Sequence, residues 1–178
     1  MRFNLTSLRE ALATGTCRLP ALPPSAQAFL GCEILSQEPR PQLWVVDHLQ
    51  ALEKLADSFR TLCPQAVVLT LPPVNAKDME TQGERLKTLA LLQSEKKDVK
   101  TFCLITTFQS LEEKLPDVGT ALILKCGSAA NPDKLFQTLE KHGYTLDVEI
   151  YEKGFAARRG GIIDVWPPTS ALPVRVEF

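Results

Sequence analysis

Paired metal ligands are what this chain most plainly lacks. It has two histidines and five cysteines. Cys17, Cys32, Cys63, Cys103 and Cys126 are widely spaced, and none stands in a CxxC pair. That pattern argues against zinc and for buried, reduced thiols. Nor is there an excess of either charge: 20 Lys and Arg face 21 Asp and Glu, a net charge of −1. A strongly basic nucleic-acid binder is therefore excluded. No apolar run is long enough to span a bilayer, and no charged-then-apolar signal segment follows Met1, so no membrane contact and a cytoplasmic location are expected. Internal repeats and low-complexity segments are also missing. What is present is 44% hydrophobic and 23% charged residues in a chain of 178, the make-up of a globular protein of one large domain or one domain and part of another.

Apolar periodicity organises the first two thirds of the chain. Phe3, Leu5, Leu8 and Leu12 recur at helical spacing and predict a short helix over residues 3–13, ended by Gly15. Pro20 to Pro24 reads as a rigid loop, from which a helix opens at Pro24 or Ser25 and runs to about Leu35. Leu43 to Val46 reads as a buried strand, with Asp47 placed to cap the next helix, whose inward face is Leu49, Leu52, Leu55, Ala56 and Phe59. Ala66 to Leu71 is a second strand, ended by Pro72-Pro73. A helix follows over about 83–93, with Leu86, Leu89, Ala90 and Leu92 inward. After a charged turn at 94–100 comes a third strand, Thr101 to Thr106, then a short helix holding Leu111 and Leu115. Strand and amphipathic helix in alternation predict an α/β fold with a parallel sheet.

A boundary is read at Pro116 to Gly119, followed by a strand over Ala121 to Lys125. Asn131-Pro132 is an N-cap with proline at the first helical position, opening a helix with Leu135, Phe136 and Leu139 that stops at Gly143. Then comes a meander. Gly160-Gly161 supplies a tight hairpin turn, Ile162 to Trp166 is a short strand closed by Pro167-Pro168, and a further strand alternates Val174, Val176, Phe178 against Arg175, Glu177. This second part reads as a smaller α+β domain with an antiparallel sheet.

The meander's wording is more specific than its pattern. Gly154, Arg159, Gly160, Gly161, Ile162, Ile163, Asp164, Pro167, Pro168, Pro173, Val174, Arg175, Glu177 and Phe178 match the signature "GEFAVRGGIIDIFPP…PVRVEFFGDEI", so the chain resembles the UvrB/Mfd family. Phe155-Ala156 departs from it, since the family has Glu and then an aromatic there. Weaker likeness reaches back through Leu122 to Gly127 and to Glu84-Arg85-Leu86-x-x-Leu89. The resemblance implies a degenerate, helicase-like α/β domain over residues 1–118 and a UvrA-interaction domain over 119–178, truncated at its C-terminus. UvrB also carries a phosphate-cradling GxxxxGK[ST] loop near the start of its first domain. The comparable stretch, Arg18 to Leu30, has no Gly and no Lys, and Pro20, Pro23 and Pro24 remove amides that the cradle would use. No ATP, and no cofactor of any kind, is expected.

The resemblance also names the site. Arg159 and Arg175 match arginines of the family's UvrA-binding surface, and the planar guanidinium fork suits such a role. Arg158 has no counterpart in the signature. Asp164 either pairs with an arginine structurally or helps to present it. The reading is a transcription-repair coupling module that recruits UvrA to stalled RNA polymerase without catalysis, RNA polymerase and DNA being engaged by regions outside this chain. One alternative is a UvrB relative with a lost ATP site. Another is a small α/β enzyme at Asp47-His48, a strand-to-helix junction of the kind that holds active sites. His142, beside Gly143, reads instead as a favourable cation at a helix end. Cys17 and Cys126 have no nearby His or Asn to form a nucleophile pair.

Overall fold

The computed structural model describes residues 10, 13, 15–16, 18–74, 78–93, 101–114 and 122–178. Most of the helix read over 3–13, the charged turn at 94–100, Leu115 and the boundary at 116–119 lie outside them. The chain divides into two compact units, Met1–Thr70 with Lys96–Phe108, and Leu71–Glu95 with Gln109–Phe178.

In the first unit, Pro24 opens α1 (Pro24–Gln37), followed by β1 (Gln42–Val46) and α2 (Leu49–Leu62). The strands β2 (Val67–Leu71) and β3 (Phe102–Thr107) complete a three-stranded sheet of order β1-β3-β2. β1 and β3 run parallel, with Leu43 opposite Leu104 and Val45 opposite Thr106, so the α/β expectation holds. Ala28 and Leu35 of α1 pack with Leu52, Leu55, Ala56 and Phe59 of α2 over Cys103 and Ile105 of β3. Gly31 makes that packing possible, because a Cβ there would lie 2.3 Å from the Phe59 ring. Trp44 meets the same ring edge-on at 5.4 Å.

Three sequence expectations change in this unit, the first being Leu49, read as inward on α2 but 38% exposed. Leu43 is 58% exposed, since β1 lies at the sheet edge, and an apolar run does not separate an edge strand from a central one. The cap of α2 is His48, not Asp47. His48 is extended (φ −152°, ψ 164°) immediately before the first helical residue, and its Nδ1 accepts the Ala51 amide at 3.1 Å.

The second unit takes an element from mid-chain, α3 (Met79–Gln93). Asp78 starts it: its carboxylate accepts the amides of Glu80 at 3.0 Å and Thr81 at 3.3 Å, and the Thr81 hydroxyl as well. The helix thus begins before Gly83, which the sequence reading takes as its start. Its inward face is Gly83, Arg85, Thr88 and Leu89, while Ala90 and Leu92 are exposed. After the short α4 (Phe108–Glu112), residues 122–125 form no strand, contrary to expectation, and Leu122, Ile123 and Leu124 are exposed.

Asn131 then caps α5 (Pro132–Lys141), its Oδ1 accepting the Lys134 amide at 3.1 Å. Gly143 follows the helix with φ +83°, a value that favours glycine. Four strands follow: β4 (Thr145–Asp147), β5 (Phe155–Arg159), β6 (Ile162–Val165) and β7 (Val174–Glu177), paired in that order. β5, β6 and β7 are antiparallel as read, but β4 pairs parallel to β5, so the sheet is mixed. Leu135 and Leu139 of α5 bury against Ala156, Ile163 and Val165, with Tyr144, Leu146 and Val176 at the margin.

Candidate functional site

Register decides which side chains share a face. Paired residues on neighbouring strands project to the same side, and residues two apart along a strand do likewise. The row Asp147, Ala157, Asp164, Arg175 and the row Arg159, Ile162, Glu177 therefore lie on one face. Ala156, Ile163, Val165 and Val176 form the other face, against α5. Arg159 and Arg175 come together on the side away from the helix, because β7 pairs with β6 directly.

The hairpin between them is tight. Arg159 pairs with Ile162, leaving Gly160-Gly161 as the whole loop, and Gly160 has φ +61°. Arg175 is fixed by a fork: its Nε donates to Asp164 Oδ1 at 2.7 Å and its Nη2 to Oδ2 at 2.9 Å. The Asp164 side chain is 14% exposed and that of Arg175 57%. The Arg175 fork holds the Asp164 carboxyl below the usual carboxylate range, and Asp164 raises the guanidinium in turn. The geometry supplies Arg175 as the arginine partner that both roles open to Asp164 in the sequence require. Arg159 is held more loosely, by one contact of 3.3 Å from Nη2 to Glu149 Oε1, with both side chains 59% exposed. No sequence signal marks Glu149, which sits in the loop between β4 and β5.

Arg158 parts company with its neighbour. Alternation sends it to the α5 side, where Nη1 meets Asp133 Oδ1 at 2.5 Å and Nε donates to the Gly160 carbonyl at 3.1 Å. It ties the hairpin to the first turn of the helix. Phe155, on the face of Arg159, meets Tyr151 edge-on at 6.2 Å, and Ala156 fills the core position fully buried. The departure from the signature is accommodated by aromatic packing on the opposite side of β5.

The catalytic alternative finds a structural role at its centre, since His48 uses Nδ1 to cap α2. Among the described thiols, Cys32, Cys63 and Cys103 cluster in the first unit and Cys126 is exposed, unlike the buried thiols expected. Burial pushes Cys32 and Cys103 up to about 12, with Cys63 adding to both shifts, so neither is poised as a nucleophile. Among the described residues no three His, Cys, Asp or Glu are grouped to hold a metal ion, and no helix is long and apolar enough to cross a membrane.

A further residue unmarked by the apolar pattern is Arg85, 3% exposed on α3. Its Nη1 donates to the Pro72 carbonyl and lies 3.0 Å from Glu113 Oε2. Glu113 also accepts the Val74 amide, at 2.9 and 3.0 Å to its two oxygens.

Comparison with known proteins matches the part of the chain to which this sheet belongs. Residues 122–178 match the UvrB interaction domain. The chain is similar to the transcription-repair-coupling factor of Bacillus subtilis, 25% identical over 96% of this chain and 15% of that protein. With the Haemophilus influenzae factor it shares 29% identity over 87% of this chain and 14% of the relative. With the Escherichia coli factor the figures are 27%, 86% and 14%. The chain thus spans about 15% of the length of these curated relatives.

Proposed function

We propose, from a chain that carries a UvrB interaction domain and is similar over most of its length to transcription-repair-coupling factors, that the face bearing Arg159 and Arg175 binds UvrA. In this reading residues 119–178, which share one compact unit with α3, are the partner-binding domain, and the rest of residues 1–118 is a degenerate α/β domain that binds no nucleotide. The module works in the cytoplasm by recruitment and not by catalysis. It links UvrA to stalled RNA polymerase, while an ATP-driven motor, RNA polymerase contacts and DNA contacts belong to other parts of a longer protein. The observation that carries the reading is the placement of both arginines, each more than half exposed, on one sheet face of the matched domain.

Binding of the same organism's UvrA to wild type, Arg159→Glu and Arg175→Glu tests it, with circular dichroism as the folding control. Each charge reversal is expected to weaken binding at least about tenfold, as for an arginine desolvated at an interface centre. Unchanged binding by both variants refutes the site. A folded wild type that does not bind UvrA refutes the function.

A further inference from the structure

The two arginines are held in unequal ways, and the difference concerns how the face meets a partner. Asp164 lies within β6, directly across from Arg175 on β7, and engages the guanidinium through Nε and Nη2. That leaves the Nη1 edge of the fork for a second carboxylate. A side chain already fixed by two charged hydrogen bonds loses less rotamer freedom when a partner arrives. Glu149 stands in a loop and makes one 3.3 Å contact to Arg159, with both side chains 59% exposed. An exposed monodentate pair is weak, yet a partner carboxylate must still displace it.

Resting on the functional reading above, we infer that Asp164 positions Arg175 for an acidic group of the partner, whereas Glu149 occupies Arg159 in the free chain and competes with that partner. The two carboxylates touch the same face but act with opposite sign. Asp164 stays in place and is shared; Glu149 is exchanged. The partner surface implied is one that presents two acidic groups, one for each arginine.

The experiment uses the 178-residue chain, the same organism's UvrA as the probe, and three variants: Glu149→Gln, Asp164→Asn and Arg159→Ala. Glu149→Gln is expected to bind about threefold tighter, the size of an exposed ion pair removed. The gain should vanish in the Arg159→Ala background, because it acts through that arginine. Asp164→Asn is expected to bind about three- to tenfold weaker with an unchanged dichroism spectrum. Its Arg175 Nε–H resonance, followed by NMR without UvrA, should shift toward that of a free guanidinium.

Equal or weaker binding by Glu149→Gln overturns the competitor role. Tighter or unchanged binding by Asp164→Asn, or an unmoved Arg175 Nε–H signal, overturns the positioning role. A wild type that fails to bind UvrA overturns the functional reading and this inference with it. Binding that falls on charge reversal but ignores Glu149 and Asp164 leaves that reading standing and sinks this one alone.

Discussion

A methyl group placed on Gly83 would sit 1.9 Å from the carbonyl oxygen of Pro168. The helix α3 therefore meets the loop between β6 and β7 backbone to backbone, at a contact that admits only glycine. Nearby, Met79 packs against Gly154, with its Cγ 3.1 Å from where a Cβ would stand, and Lys153 pairs with Glu80 at 3.1 Å. All of these residues belong to the second unit. A mid-chain helix is thus part of the fold that carries the arginine face.

Gly83→Ala should accordingly destabilise the second unit. Alanine favours a helix interior by about 1 kcal/mol, but the obstacle is backbone and cannot rotate away. Overpacking of this kind costs about 1–3 kcal/mol, and an overlap this deep belongs at the upper end. A net loss of about 1–2 kcal/mol is expected from urea unfolding followed by Tyr and Trp fluorescence. Stability equal to or above wild type would show that α3 does not press on the loop.

Arg85 gives a larger expected loss. Arg85→Ala strands the Glu113 carboxylate, 19% exposed, and the Pro72 carbonyl without the guanidinium. Removing one partner of a buried pair costs about 3–5 kcal/mol. Arg85→Met, which keeps the stem volume, should recover the packing share but not the charge share. Urea titration of both variants checks this order, and an Arg85→Ala change of less than about 1 kcal/mol would contradict it.

What the sequence makes legible depends on the kind of signal each residue gives. The Asn131-Pro132 cap and the Gly160-Gly161 hairpin are local chemistry, and local chemistry was legible. The pairing of Arg175 with Asp164 was half legible, because alternation gives the faces but not which strand lies beside which. Apolarity alone starts α3 at Gly83 and turns only Leu and Ala inward, whereas in the fold a neighbouring backbone selects a glycine and a buried arginine. Leu43 and Ile123 show the converse, apolar residues that the fold leaves exposed. Glu149 gave no signal, since only the tertiary fold brings its loop to Arg159.

Acid should act through two named carboxylates. The Arg175 fork depresses Asp164 below its ordinary value of 3.8. The Thr81 hydroxyl, followed by the amides at the start of α3, does the same for Asp78. A carboxyl depressed in the folded chain contributes stability that is complete above its unfolded value and disappears as pH falls through the folded value. Both contributions should therefore be intact at pH 5 and above, and be lost progressively below about 3.8. Asp164→Asn and Asp78→Asn should each flatten the acid limb of the stability curve without altering its shape near neutrality. NMR titration of the two carboxyl carbons is the direct check. Midpoints at or above the ordinary value would remove the basis for both pairings.

Thiol chemistry separates exposure from reactivity. Cys126 is exposed, Cys32 half-buried, and Cys63 and Cys103 buried. Alkylation runs through the thiolate, and burial holds Cys32 and Cys103 at about 12. At pH 8 a thiol there is ionised far less than one at its ordinary value of 9.0, and Cys103 is also closed to reagent. Among the four described thiols, Cys126 should consequently react first with iodoacetamide in the native chain. Cys63 and Cys103 should follow only at the rate at which their part of the structure opens. Cys32 should be slow despite its partial exposure, because its thiol, not access alone, limits the reaction. Peptide mapping of a timed alkylation reads these four sites, and addition of urea should bring them to a common rate. If Cys32 instead reacts as fast as Cys126 without denaturant, its thiolate is not suppressed, and the close grouping of Cys32 with Cys63 and Cys103 does not describe the protein in solution.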